Sequence, residues 1–397
     1  MEQLPPEWKE ARLKYLVRSV SGSTPSKDNL SYWDGDFAWA SPRDMGTRVI
    51  RDTHHRITSL ALDEQGIQTI STGALLIVAR SGILKHKIPV ALNEIPVTLN
   101  QDLWAFLPQH SCVPSYLRFL IEGHQPQLLT LWRKQGATVE SLDHEAVMNT
   151  IVPIPPIWEQ RTIASFLDHE TARIDRLIKK QQRLIELLQE KRQAVISHTV
   201  TKGLNPDAPM KDSGIQWLGN IPAHWTIVRL KHLSPHIGVG VVVNPSSYVT
   251  DNGLPFLFGG NVKPFGFELS KVRRISAENS RLLSQSLLRS GDLVCVRVGY
   301  PGVTAVVPET LEGANCASMM VIRSGKFCSQ WLCFVLNSSI GICQVEAVQY
   351  GAAQKQFNIS DAVNFKFPAP PREEQRKIAD TLTARMEKLD QLDVTSQ

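Results

Sequence analysis

The residues of this chain that could do chemistry are few, and their spacing argues against most of it. The segment SGSTPSKD (21–28) combines glycine, hydroxyls and Lys27 as a phosphate cradle does. A P-loop, however, needs GxxxxGK followed by Ser or Thr, so that successive backbone N–H groups wrap the phosphate, and that spacing is absent; the segment reads as a turn. No GxSxG elbow, HExxH helix or GxGxxG loop after a strand occurs, so hydrolase, metalloprotease and dinucleotide readings have no footing. Cysteines stand at 112, 295, 316, 328, 333 and 343, with no CxxC and no nearby His pair at metal spacing. They read as small buried reduced thiols rather than a disulfide framework or a zinc site. No catalytic residue and no metal ligand is assigned.

NPSSY (244–248) superficially resembles the NPPY box of adenine-N6 methyltransferases, in which Asn and a proline carbonyl hold the amino group while Tyr stacks on the base. Its second proline is missing, its aromatic is displaced by one residue, and no glycine-rich cofactor loop precedes it on a strand, so it reads as a local turn. What remains is a set of polar, basic and aromatic loops. SYWDGDFAWASPRDMGTR (31–48) offers Ser41, Arg43 and Arg48 beside Trp39; VARSGILKHK (78–87) offers Arg80, Lys85 and His86; WRKQGAT (132–138) offers Arg133, Lys134, Gln135 and Thr138. Further along lie Asn261 and Lys263 in GGNVK, Arg297 and Tyr300 in VRVGY, and Tyr350, Gln354, Lys355 and Gln356 in QYGAAQKQFN. Arg reads guanine O6/N7, Asn or Gln reads adenine N6/N7, and Lys holds phosphates, so with Lys27 these form the candidate DNA-binding set. Any one such loop, taken alone, is ordinarily solvated surface.

The elements that must position these loops come in two copies. PPIWEQRTIASFLDHETARIDRL (155–177) matches PPREEQRKIADTLTARMEKLDQL (370–392) at an offset of 215, with ten identities that include Pro155/Pro370, Glu159/Glu374, Gln160/Gln375, Arg161/Arg376, Ile163/Ile378 and Leu167/Leu382, and end in Asp175/Asp390 and Leu177/Leu392. LPPEWKEARLKYL from Leu4 aligns with IPAHWTIVRLKHL from Ile221 through Trp8/Trp225, Arg12/Arg229 and Leu13/Leu230. Gly136-Ala137 pairs with Gly351-Ala352, and Arg80 and Gly82 fall opposite Arg297 and Gly299. Repetition at a fixed offset organises everything else. Each copy is a variable globular part of roughly 150 residues followed by a helix that starts at a Pro-Pro pair.

Within the globular parts, short apolar runs such as ALLIVA (74–79) and DLVCVRV (292–298) bounded by Gly-rich turns predict strands. SYLRFLIEG (115–123) and QWLCFVLNS (330–338) carry helical spacing, which makes the class α+β. Residues 158–202 contain neither Gly nor Pro, and a seam at Ile163, Leu167, Glu170, Ile174, Leu177, Gln181, Leu184, Leu188, Lys191 and Val195 alternates steps of three and four. Roughly 40 residues at 1.5 Å each give a rod about 60 Å long. Ile378, Leu382 and Leu389 are the seam of the second helix.

The 397 residues carry 43 Lys and Arg against 38 Asp and Glu, a net charge of +5 that permits an anionic partner without demanding one. The N-terminus MEQLPPEWKE is polar and acidic where a signal peptide would be basic and then apolar, and no run reaches the length of a membrane span. The expectation is a cytoplasmic protein with no membrane.

Together, the PPxxEQR boxes, QEKRQAVISHTVTKGLNPDAPMKDSGIQWLGNIPAHW (189–225) and GSTPSKDNLSYWDGDFAWASPRDM (22–45) closely resemble the DNA specificity subunit of type I restriction-modification systems, along essentially the whole chain. The resemblance implies two target recognition domains, 1–152 and 206–367, each reading one half of a bipartite asymmetric site in double-stranded DNA. Helical regions at 153–205 and 368–397 would form an antiparallel coiled-coil spacer. It implies no catalytic activity and no cofactor in this chain. S-adenosylmethionine would sit on two modification (methyltransferase) subunits, and ATP and Mg on restriction (translocase and nuclease) subunits, with adenine in the duplex reached by base flipping. The second helical region is shorter than the first, and three readings stay open: unequal antiparallel helices, a weaker docking surface, or a truncated chain. A coiled-coil scaffold without DNA affinity and a fused DNA methyltransferase or nuclease are the alternatives.

Overall fold

The computed structural model describes residues 4–136, 138–242, 244–351 and 354–394, apart from the side chains of Asp390 and 392–394. The repeat pairings that involve Ala137, Ala352, Asp390 and Leu392 lie outside that description. The chain divides into two compact units, Met1–Ile178 and Lys179–Gln397.

In the first unit, β1 (Lys9–Arg12) pairs antiparallel with β10 (Ile151–Ile154), closing the globular part where it opened. Between them a five-stranded sheet runs β2 (Val17–Ser21), β9 (Leu103–Pro108), β6 (Leu75–Val78), β7 (Val90–Asn93), β4 (Val49–Ile50). The LLIV run of β6 is buried at all four positions because it is central and covered on both faces. A smaller sheet carries β5 (His55–Ile57), β3 (Trp33–Ala40) and β8 (Thr98–Leu99). Helices α1 (Ser59–Gln65), α2 (Pro114–Gly123), α3 (Gln125–Trp132) and α4 (His144–Asn149) follow from their caps. The Thr58 hydroxyl accepts from Ala61 N and Gly66 closes α1 at φ 60°, while the Asp143 carboxylate accepts from Ala146 N at α4.

The second unit begins with the last turns of α5 (Ile157–Lys202) and a hairpin of β11 (Met210–Asp212) and β12 (Asn220–Pro222). From there it repeats the first unit. β13 (Thr226–Arg229) closes on β24 (Lys366–Ala369). One sheet runs β14 (Ile237–Val239), β23 (Met319–Ile322), β20 (Leu293–Val296), β21 (Thr304–Val306). The other runs β15 (Val249–Thr250), β19 (Arg273–Ile275), β16 (Leu254–Leu257), β22 (Asn315–Cys316), with a small hairpin of β17 (Val262–Lys263) and β18 (Gly266–Phe267) beside them. Helices α7 (Ala277–Leu282), α8 (Ser329–Asn337), α9 (Ser339–Val348) and α10 (Ile359–Ala362) occupy the places of α1 to α4; α6 (Leu230–Leu233) is a single turn after β13. The fold is thus two α/β units joined to long helices, as the repeat predicts.

The identities of the repeat are structural joints. Trp8 Nε1 donates to Glu159, and Trp225 Nε1 donates to Glu374. Gln160 and Gln375 are both buried. Each donates through Nε2 to the carbonyl of the first proline of its Pro-Pro pair and accepts through Oε1 from the backbone N–H that precedes α2 or α8, Val113 or Cys328. The box is therefore a buried hydrogen-bonded corner that ties a long helix to its globular part. Glycine serves close approach in both copies: a Cβ at Gly22 would meet Leu99 O at 2.0 Å, and one at Gly240 would meet Cys316 O at 2.3 Å.

The helical seam behaves differently from its prediction. In the second unit Ile378, Leu382 and Met386 of α11 (Arg372–Val394) are buried in one core with Ile196 and Val200 of α5, and Leu389 packs against it. In the first unit Ile163 joins the core and Leu167 is half-buried. Between them Ile174, Leu177 and Leu184 are exposed, and Leu188 is half-exposed. α11 has 23 residues against the 46 of α5.

Four cysteines, Cys112, Cys295, Cys316 and Cys333, are buried thiols as expected; Cys328 is half-buried and Cys343 exposed. Burial pushes Cys112, Cys316 and Cys333 up to about 12 and Cys295 to about 11, which keeps all four protonated and unreactive. Among the described residues no single helix is long and apolar enough to cross a membrane.

Candidate nucleic-acid interface

The separate basic loops meet at the edge of each unit. In the first, the backbone bridges Arg80 to Ser141 and Arg133 to Leu142 join the loop after β6 to the hairpin after α3. Arg80, Lys85, His86, Lys134, Gln135 and Thr138 are exposed along that edge. In the second, the bridges Val298 to Gln356 and Tyr350 to Gln356 join the loop after β20 to the hairpin after α9. They place Tyr300, which is 80% exposed, beside Tyr350, Gln354 and Lys355.

These bridges correct the repeat alignment by one residue. Leu142 N donates to Ala79 O at 2.8 Å, and Phe357 N donates to Arg297 O at 3.3 Å, so Arg297 corresponds to Ala79 and the counterpart of Arg80 is Val298. A one-residue slip on an extended segment sends the side chain to the other face. Accordingly Arg297 is half-buried and its Nε donates to Phe357 O at 3.1 Å, while Arg80 is outside, with Nε 2.6 Å from Asp102 Oδ1. Arg297 thus holds the loop through its Nε.

A second cluster surrounds the end of β3. Ser41 is buried, with its N–H 2.8 Å and its hydroxyl 2.9 Å from Asp44 Oδ2. Asp44 Oδ1 accepts from His54 N at 2.8 Å and lies 2.6 Å from His54 Nδ1. Burial pushes the Asp44 pKa up, but the bonds from His54 and Ser41 outweigh it and hold the carboxylate below its ordinary value. The turn so fixed projects Arg43, exposed and without a side-chain partner among the described residues, over a cleft of about 650 Å³ that it shares with Lys27, Leu30, Trp33, Trp39 and His55. The rings of Trp33 and Trp39 meet edge to face at 5.2 Å, and His55 lies 6.2 Å from each.

The equivalent turn of the second unit explains Asn261. Phe258 N donates to Asn261 Oδ1 at 3.0 Å, as Ser41 N does to Asp44, and Asn261 Nδ2 donates to Glu268 O. Both ends of its amide thus bond the turn. Lys263 is exposed beside it. Arg48 is engaged in an exposed ion pair with Asp175 of α5 at 2.9 Å. Gln356 gives its backbone to both bridges, and Tyr350 donates its hydroxyl to Asn358 Oδ1 at 2.9 Å. NPSSY forms a single 3-10 turn, Pro245–Tyr248, with the Ser247 hydroxyl donating to Asn244 O.

Leu30, Trp33, His54, His55 and Asp44 were not singled out from the sequence. The Ser-x-x-Asp spacing of Ser41 and Asp44 was the available signal for the turn, while the meeting of Trp33 with His55 depends on the pairing of β3 with β5 and has no local signature.

The family model for the type I restriction modification DNA specificity domain matches residues 5–187. The chain is 32% identical over 185 residues to the type I restriction enzyme EcoR124I/EcoR124II specificity subunit of Escherichia coli, covering 46% of this chain and 45% of that protein. It is 26% identical over 191 residues to the MjaIX specificity subunit of Methanocaldococcus jannaschii, covering 42% of it, so the match spans less than half of either relative. The MjaVIII specificity subunit of the same organism is 25% identical over 392 residues, 96% of this chain and 86% of that one. Among solved structures, one from a study of complex assembly and conformational transition of the type I R-M system superposes with a TM-score of 0.73 at 20% identity, covering 100% of this chain and 94% of that one. The HsdS subunit from Thermoanaerobacter tengcongensis superposes at 0.53 and 18% identity, covering 99% and 92%. Those two show the fold. With its PPxxEQR corners built twice, the chain is similar to type I restriction-modification DNA specificity proteins, and the family model covers its residues 5–187.

Proposed function

We propose that this chain is the sequence-specific DNA-binding subunit of a type I restriction-modification complex, with residues 1–152 and 206–367 as target recognition domains. One observation carries the reading: the same fold occurs twice, its joints are shared, and the exposed side chains on equivalent edges differ. Arg80, Lys85, His86 and Lys134 stand on one, Tyr300, Tyr350, Gln354 and Lys355 on the other. A pair of like scaffolds with unlike edges suits a bipartite, non-palindromic site. Helical regions 153–205 and 368–397, as an antiparallel coiled-coil spacer, would set the spacing of the half-sites. The exposed Ile174, Leu177 and Leu184 of α5 supply apolar surface for modification subunits. Chemistry, with S-adenosylmethionine, ATP and Mg, belongs to two modification subunits and to the restriction subunits, in the cytoplasm; this chain is the non-catalytic reader.

The test is to co-express the chain with the modification subunit of its own operon, purify the complex and map adenine methylation genome-wide. One split motif with a fixed spacer, bound with an affinity that falls by about a thousandfold between about 50 and 200 mM salt, is the expected result. A complex that methylates no motif, or binds DNA without salt dependence, refutes the reading.

A further inference from the structure

We infer that the aromatic cleft of the first unit captures an unstacked nucleobase of the half-site that this unit reads. The inference rests on the DNA-binding reading above. Duplex edges are read by convex parts, a helix or ribbon laid in a groove. This cleft is concave, about 650 Å³, within the range of small-ligand pockets. Its apolar parts are a half-buried Trp33, the ring of an exposed His55 and, at the rim, Leu30, which is 82% exposed. Aromatic faces with apolar neighbours are how proteins hold bases out of a stack. Lys27 and Arg43, both exposed and without side-chain partners among the described residues, line the same cleft, and against them stands one carboxylate, Asp34. The lining stays cationic, as the phosphates flanking a displaced base require.

The second unit supplies the contrast. Strand registers place Val249 where the first unit has Trp33, because each pairs with the equivalent isoleucine, Ile275 or Ile57. Arg273, the partner of Phe256, stands where His55 pairs with Trp39. The turn 258–261 has Gly260 at the position of Arg43. Arg273 already lies over the Phe258 ring, 4.6 Å from its centroid. The tryptophan face and the cation at the turn itself are both gone, and the smaller cleft beside that turn, about 420 Å³, holds Lys271 and a Phe258 ring already covered by Arg273.

The experiment uses the complex of the full chain with its modification subunit and the duplex defined by methylation mapping, into which abasic sites are placed one at a time on each strand. At one position of one half-site, removing the base should weaken binding by about tenfold or more. Removing the base opposite should strengthen it, because the pair no longer has to be opened. Trp33→Ala should abolish both effects, and Lys27→Ala with Arg43→Ala, two exposed substitutions that leave the fold alone, should weaken that half-site selectively. If abasic sites weaken binding on both strands at every position, or Trp33→Ala keeps wild-type affinity, the base-capture inference falls and the DNA reading stands. If no motif is methylated at all, both fall.

Discussion

The two units place opposite chemistry at one position of one helix. Arg118 on α2 and Cys333 on α8 are equivalent, since each lies five residues after the N–H bound by the box glutamine. Arg118 is 2% exposed, its Nη1 3.0 Å from Glu122 and its Nη2 2.6 Å from Asp168 of α5. In the second unit the corresponding residues are Cys333, Asn337 and Thr383. Asn337 turns inward, donating to Thr304 O and Cys333 O and accepting from Thr304 N, and Cys333 is a plain buried thiol. One unit anchors its long helix with a buried charge, the other by apolar packing of α11 on α8. A buried charge is tolerated only where every partner came with it, so the two units cannot exchange this residue singly.

Substitutions sharpen that comparison. The largest effect is expected for Cys333→Arg, which buries a guanidinium facing Asn337 and Thr383; a loss of about 4 kcal/mol or more should unfold the second unit first, seen as a separated calorimetric transition. Arg118→Ala strands Glu122 and Asp168, which are partly exposed, and should cost the first unit about 3 kcal/mol, read from its denaturant midpoint. Gln160→Leu and Gln375→Leu should cost about 2 kcal/mol each, and equally, because both leave a buried N–H and a carbonyl unpaired; unequal losses would show that the two corners are not the same device.

The turns differ in acid. The native Asp44 carboxylate titrates below its unfolded counterpart, so its contribution is present above the unfolded value, near about 3.9, and is lost as pH falls through the native one. Asp44→Asn should therefore destabilise the first unit by about 1 kcal/mol at neutral pH and by progressively less below about pH 4. Asn261→Ala should show a loss independent of pH, measured by urea titration at several pH values. Smallest is Arg48→Ala, which breaks an exposed ion pair and should change stability by less than about 1 kcal/mol.

Duplication, the α+β class, the buried β6 and β20 runs and the helix starting at each Pro-Pro pair were legible in the sequence because each depends on local pattern. The box residues were visible as repeated letters, but their work was not, since Gln160 reaches a backbone N–H 47 positions away. The α5 seam was legible as a pattern, yet periodicity cannot tell which part of a stripe is covered, and Ile174, Leu177 and Leu184 are exposed. Of the candidate contacts, the exposed cations were readable by composition. That Asn261 and Arg297 also complete loops was not legible, because a polar side chain that does so looks, in one dimension, like one that only faces solvent.

The pairing of β1 with β10, and of β13 with β24, has a topological consequence. Each globular part enters and leaves through the same two-stranded gate, pinned by one tryptophan to one glutamate. A segment whose two ends are held side by side is mechanically a closed ring on a stem. Whatever is lengthened, shortened or rewritten inside the ring leaves the stem, and the helix that continues from it, where they were.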